Sequence, residues 1–281
     1  VLFGDGAGAC VLGTVARGGI LATDMGADGS AAELLYMPGG GSKYPPSHQS
    51  IDQRLHFLRM NGSEIFKLAV RRMADSVKHV IARAGVPLVV FAEGGGGRPG
   101  ETDTRLGLDI PTFARFAKLS GKVPLVGIVS GYCFAGNAAL LGCADVIIAT
   151  ENASIGMGGP AMIEGGGLGV FKPGEVGPVD MQRRNGVIDI VVADEAEAVA
   201  VAKRYLSYFQ GTVADFDAHD PRRLRSLIPE NRMRVYDIRE VIDQLADVES
   251  VLELKPDFGR AAVTALVRIG GRPMGLIAND P

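Results

Sequence analysis

The hydrophobic pattern changes character twice along this chain. Over residues 1–60 apolar positions alternate around glycines, in VLFGDGAGACVLGTVA and then GGILATDMGADG, which predicts a β-rich stretch. A proline-glycine loop runs over 37–50, and an exposed connection, QSIDQRLHFLRMNG, leads on. From Gly62 to Ala84 the spacing becomes helical. Ile65, Phe66, Ala69, Val70, Met73, Val77, Val80 and Ile81 recur every three or four residues, while Arg71, Arg72, Asp75 and Lys78 fall mostly elsewhere. Asn61 or Ser63 suits the start of this helix, and Gly85 with Pro87 stops it.

The rhythm is then strand, turn, helix. PLVVFAE reads as a strand, PTFARFAKLSG as a helix, VPLVGIVS as a strand and AGNAALLGCA as a helix. DVIIAT is another strand, and EAEAVAVAKRYLSYF a long amphipathic helix. Strands that are nearly all apolar and alternate with helices predict an α/β fold, with a mostly parallel sheet covered on both faces. Residues 211–233 are polar and interrupted by proline, and read as a linker. YDIREVIDQLAD is a short helix, and AAVTALVRIGGRPMGLIA resumes strand alternation as the start of a second domain. Val1 sits in mid-strand pattern and Pro281 follows one directly, so both ends read as cut.

Composition changes this picture in one respect. Among 281 residues there are 39 glycines, clustered at 4–8, 39–41, 94–97, 156–159 and 165–169 without a fixed period. Such clusters mark tight turns and close approach of backbone to ligands. A net charge of −3 and the lack of a basic stripe argue against nucleic acid as a partner. Arg222, Arg223 and Arg225 belong to the linker, followed by Glu230. Three cysteines without C-x-x-C spacing fit a reducing, cytoplasmic setting and no structural metal. No apolar run reaches membrane-spanning length.

Two of the glycine-rich turns share one design. LVVFAEGGGGRPG (88–100) and LVGIVSGYCFAGNA (125–138) each carry a buried apolar run into small residues where a helix should begin. Such turns present bare amide N–H groups, and two of them aimed at one oxygen form an oxyanion hole without side chains. That suits a thioester carbonyl becoming an enolate. Competing chemistry is weaker. Gly4-x-Gly6-x-x-Ala9 is followed by strand-like CVLGTVA, where a dinucleotide fingerprint needs a helix. Cys133 has no histidine nearby in sequence and reads as a structural thiol, as do Cys10 and Cys143. Ser130 does not fit G-x-S-x-G. Glu93, Glu101, Asp103 and Glu164 flank glycine clusters, as general-base candidates or as loop caps. Arg98 could pair with a phosphate or hold the turn to an acid.

These segments, with VPLVGIVSGYCFAGNAALLGCADVIIATENASIGMGGPAMIEGGG and the stretch from YDIREVIDQLAD to Pro281, resemble the carboxyltransferase component of biotin-dependent acyl-CoA carboxylases. The resemblance covers about 86–281. It implies a crotonase-like ββα spiral, and transfer of a carboxyl group from carboxybiotin, on a separate carrier, to the α-carbon of an acyl-CoA of the acetyl-CoA or propionyl-CoA type. Carried over, Phe134–Ala135–Gly136–Asn137 stands where that family has Ala-Gly-Gly-Ala, with the Ala135 and Gly136 amides facing the thioester oxygen. Gly95–Gly96–Gly97–Arg98 stands for Gly-Gly-Ala-Arg, and Gly158, Gly159 and Pro160 border the CoA. Gly96, Gly97, Ala135 and Gly136 are thus the implied catalytic donors, and Gly95, Arg98, Phe134, Asn137, Gly158, Gly159 and Pro160 the implied substrate contacts. The implied partners are biotin carboxylase and biotin carboxyl carrier components, in an oligomer, with no metal, nucleic acid or membrane. The resemblance divides the chain into a crotonase-like domain at 85–210, the linker 211–233, and the start of a second carboxyltransferase domain at 234–281.

The front resembles a different family. VLFGDGAGACVLG, GILATDMGADGSAAELLYMPGGGS and HFLRMNGSEIFKLAVRRM are similar to the middle of a β-ketoacyl-acyl-carrier-protein synthase III, which implies a partial thiolase-like α/β segment over 1–84. That family's nucleophilic cysteine belongs upstream of VLFGDGAGA, and its Pro-His-Gln-Ala-Asn stretch is replaced by PLVVFAEGGGG. The two likenesses join near 80–87, in IARAGVP, where both families have an amphipathic helix. The expectation is a carboxyltransferase-type chain impaired by truncation, with a condensing-enzyme fragment or an inactive fusion as alternatives.

Overall fold

The computed structural model describes residues 22–95, 112–231 and 233–280. Residues 22–60 contain a 3-10 helix, Gly29–Leu34, two strands of two residues each, β1 (Leu35–Tyr36) and β2 (Arg59–Met60), and a short helix α1 (His48–Asp52). The expected β-rich character is therefore absent from the described part of that stretch. The two short strands pair antiparallel, and glycine and proline spacing leaves no run long enough to extend them.

Helix α2 (Gly62–Ala84) follows the sequence reading residue for residue. Asn61 caps it, its side chain accepting from the Glu64 amide at 3.3 Å, and Gly85 ends it in the left-handed conformation at φ 62°. Ile81 of its apolar stripe is buried, while Met73 and Val77 stay exposed.

The spiral begins with β3 (Leu88–Phe91) and α3 (Thr112–Ala117). β4 (Leu125–Val129), β5 (Tyr132–Phe134) and α4 (Gly136–Leu141) form one repeat. β6 (Val146–Thr150), β7 (Ser154–Gly156), α5 (Pro160–Gly165), the 3-10 turn Pro173–Glu175 and α6 (Val179–Gln182) form the next. β8 (Ile190–Val192) and α7 (Glu195–Ser207) complete the layer. Strands β3, β4, β6 and β8 lie side by side in that order, all parallel, with Val126 opposite Val146 and Ile148 opposite Ile190. The short strands β5 and β7 make a second parallel sheet, Cys133 opposite Ile155. Each repeat thus gives one long strand to the first sheet, one short strand to the second, and a helix.

Both faces of the long sheet are covered, as expected of parallel strands. Val129, Ala149, Cys133, Leu141 and Ile155 pack between the two sheets. Val126, Ile128, Val146 and Ile148 pack against Ala198, Ala202 and Tyr205 of α7. Fully burying a side chain of this size contributes about 1.5–3 kcal/mol, so this double-sided core fixes the strand ends that carry the turns. Gly127 is required inside it, because a β-carbon there would meet Leu141 Cδ1 at 2.5 Å.

After α7 come a 3-10 turn, Pro221–Arg223, and helices α8 (Leu224–Leu227) and α9 (Ile238–Leu245). β9 (Leu252–Leu254), β10 (Ala262–Ile269) and β11 (Arg272–Asn279) then form an antiparallel sheet ordered β11-β10-β9. Gly270 and Gly271, both at positive φ, make the two-residue hairpin turn. The segment read as a linker is tied to this sheet region: Val213 N–H donates to Gly271 O of the hairpin at 3.0 Å, and Val248 N–H, between α9 and β9, donates to Asp217 O at 2.8 Å. Arg268 holds the same corner, donating to the carbonyls of Ser207, Gly211 and Gly271 at 2.8–3.0 Å.

Candidate active site

The second sheet brings the two glycine-rich turns together. β3 runs out through Ala92 and Glu93 to Gly94, which bridges to Cys133 in parallel register. The Gly94 amide donates to Tyr132 O at 2.7 Å, and the Phe134 amide donates back to Gly94 O at 3.0 Å. The first turn therefore extends the β5–β7 sheet by one position. Asn137, in the first turn of α4, lies over Gly94, where any side chain would collide with its Nδ2.

The third glycine segment closes the seam from the other side. A β-carbon on Gly159 would stand 2.9 Å from Gly95 O and 3.4 Å from Cδ2 of Phe134. Gly159 is buried, and Pro160 after it opens α5 at a position where its missing N–H costs nothing. Gly158 faces Met162, 3.9 Å from where its own β-carbon would be. Gly95, Phe134, Asn137, Gly158, Gly159 and Pro160 are thus neighbours, as the sequence reading grouped them. Gly96, Gly97 and Arg98, with Glu101, Asp103 and Cys10, lie outside the described residues.

The amide of Ala135, one of the implied donors, donates to Gly156 O at 3.0 Å and so is already paired with β7. Ala135 caps α4 with φ 55° and ψ −120°, a conformation that an L-residue holds only under strain. In that conformation its own amide stays paired with β7. Gly136 and Asn137 open α4, where a helix offers their amides no carbonyl four residues back. Gly136 also has Phe113 of α3 as a neighbour, with Cζ 3.2 Å from where a β-carbon would be.

Phe134 does not plug the turn. Its ring is 1% exposed, stacked on Tyr132 at 5.9 Å between centroids, and forms the floor on which Gly156 and Gly159 sit. Tyr132 above it is exposed. No residue of the seam itself, 94–95, 132–137 or 156–160, carries a formal charge. Glu93 and Glu164 flank it as exposed carboxylates.

Cys133 is fully buried, and desolvation, with a smaller push from Glu93, raises its thiol to about 11. At neutral pH it is a thiol and no nucleophile. Ser130 donates to Glu195 Oε1 at 2.6 Å, away from any histidine. Among the described residues no group of three or more His, Cys, Asp or Glu side chains is placed to hold a metal, and no helix is long and apolar enough to cross a membrane.

The carboxyl transferase domain profile matches residues 57–281. The chain belongs to that family. The 12S subunit of methylmalonyl-CoA carboxyltransferase from Propionibacterium freudenreichii subsp. shermanii is 31% identical over 207 residues, which cover 70% of this chain and 39% of that protein. The structure of a single-chain, multi-domain long-chain acyl-CoA carboxylase superposes with a TM-score of 0.71 at 59% identity, over 74% of this chain and 21% of that one. The transcarboxylase 12S structure with methylmalonyl-CoA bound gives a TM-score of 0.62 at 28% identity, over 74% of this chain and 43% of that one. With these relatives the spiral is a crotonase-like carboxyltransferase fold. A separate likeness is to β-ketoacyl-[acyl-carrier-protein] synthase III of Caldanaerobacter subterraneus subsp. tengcongensis, 49% identical over 87 residues, or 31% of this chain and 26% of that protein. That likeness is partial, and the chain spans only a quarter to two fifths of these curated relatives.

Proposed function

We propose that this carboxyltransferase-family chain binds an acyl-CoA at the glycine seam and serves carboxyl transfer to the acyl α-carbon. The observation that carries the reading is the meeting of three glycine segments at one amide-lined place whose described residues are uncharged: Gly94–Gly95, the start of α4, and Gly158–Gly159. A thioester that loses an α-proton gathers negative charge on its carbonyl oxygen. Preorganised amides stabilise that charge without reorganising, and losing one such donor costs about 10²–10³ in rate. In this reading the Gly136 amide, with Asn137 beside it, faces the oxygen, and Gly158–Pro160 border the CoA.

Carboxybiotin on a separate carrier would supply the carboxyl group and, once spent, a basic ureido nitrogen. A donor set of backbone amides and one carboxamide fits neutral carbonyl oxygens of this sort. The chain's own residues then position the acyl-CoA and hold its oxyanion, which explains why the described residues of the seam include no acid, base or thiolate. The finer features of this reading are biotin carboxylase and carrier partners, an oligomer and a cytoplasmic role in fatty acid metabolism. They rest on kinship with proteins described as acyl-CoA carboxylase and transcarboxylase components. The name of the long-chain carboxylase relative favours a longer acyl substrate than the acetyl or propionyl expected from the resemblance.

Isothermal titration with CoA and acetyl-CoA tests the site. The 281-residue chain should bind both, and Gly159→Ala should weaken both by tenfold or more, because the new methyl pushes Gly95 away from Phe134. Absence of binding by the unmodified chain at millimolar ligand removes the proposal.

A further inference from the structure

We propose that Phe113 determines acyl specificity at the seam, as the apolar wall against which the carbons next to the thioester pack. This rests on the acyl-CoA reading above and adds a residue to it. Phe113 is the second residue of α3, and its ring is 39% exposed. The rim of that ring lies across Gly136: Cζ is 3.2 Å and Cε1 3.6 Å from the point where a β-carbon on Gly136 would sit. Gly136 is the first residue of α4 and carries the amide assigned to the oxygen.

The juxtaposition has a chemical consequence. A carbonyl oxygen held at the Gly136 amide brings its α- and β-carbons alongside the flank of that residue. The aromatic ring there offers apolar surface to an acyl group and nothing to the bare thiol of free CoA. Phe113 is also held firmly. Two and three residues on, Arg115 pairs with Asp75 Oδ2 at 3.0 Å and donates to Arg71 O at 3.2 Å, and Phe116 packs with Leu119, Ile81 and Leu125. The ring itself is not among the residues of that cluster, so its exposed surface is not needed to hold the core. Glycine at 136 completes the arrangement, since any side chain there would compete with the ring.

The test is a ligand ladder. CoA, acetyl-CoA and octanoyl-CoA are titrated into the full 281-residue chain, into Phe113→Ala and into Phe113→Leu, with thermal melts to compare their folding. Unmodified chain should bind octanoyl-CoA more tightly than CoA. Phe113→Ala should lose about tenfold for octanoyl-CoA, the scale of one or two apolar contacts in a pocket, while CoA affinity stays unchanged. Phe113→Leu should keep most of the octanoyl preference. An unchanged ladder in Phe113→Ala, or an equal loss for CoA and octanoyl-CoA, overturns the specificity role and leaves the site reading standing. If no CoA species binds the unmodified chain, the site reading fails first and takes this inference with it.

Discussion

Ala135 shows how one residue redirects a turn. Its strained backbone costs on the order of 1–3 kcal/mol, and the hydrogen bond from its amide to Gly156 O returns only part of that. Glycine adopts the same dihedrals freely but orders at a greater entropic cost. Ala135→Gly should therefore raise stability by about 1 kcal/mol, and Ala135→Val should lower it by about 2 kcal/mol or more, since a β-branched residue tolerates positive φ worst. Urea denaturation of the three proteins decides this. An apolar run ending in small residues marked the turn at 125–138, and the family resemblance is what grouped Phe134, Gly136, Asn137 and Gly159 around it. It could not show which amides are spent. Ala135 and Gly136 look equivalent on paper, and only the pairing partner across β7 separates them. Phe113 left no signal at all, since one aromatic in an amphipathic helix reads as core.

Among the elements, the long strands and the helices α2, α3, α4, α7 and α9 were legible, and the three-residue strands β5, β7 and β8 were not. β4 and β6 announce themselves as apolar runs, and α2 carries both of its terminal signals. β5 and β7, of three residues each, follow their long partners after one bend or turn, too short for any periodicity to register. Yet these are the strands that align the turns. β8 was overlooked for the same reason, as three residues ahead of a strong helix. The alternation over 22–60 misled because glycines supply apparent spacing without pairing. At this scale α3 is the element to perturb. Its clamp to α2 is the half-buried Arg115–Asp75 pair with one further bond to a carbonyl. Arg115→Ala should cost about 1 kcal/mol or less in global stability. It should raise amide hydrogen exchange selectively in residues 112–117, which mass spectrometry of deuterated peptides would detect.

Across the whole molecule, Asp189 ties the spiral to the antiparallel sheet. It accepts from the Ile147 amide at 2.7 Å at the start of β8, and Lys255 after β9 reaches it at 3.7 Å and donates a backbone bond to its carbonyl at 2.9 Å. Desolvation raises its carboxyl above the ordinary value, opposed by the Ile147 amide and Lys255. The folded state therefore binds a proton that the unfolded chain has already released. Its stabilising effect is complete below the unfolded value, about 3.9, and is lost as pH rises through the folded one. Urea melts of the protein and of Asp189→Asn across acid to neutral pH should show the difference between them shifting against the unmodified protein as pH climbs.

The two family likenesses together exceed the length of the chain, so they overlap, and the carboxyl transferase match beginning at residue 57 takes in all of α2. This helix lends the spiral Ile81 and an anchor for α3, and no donor to the seam among the described residues. Where the two likenesses overlap, a rod with one apolar edge is what the spiral draws from this stretch, and the order of the strands after it rests on the parallel sheet alone.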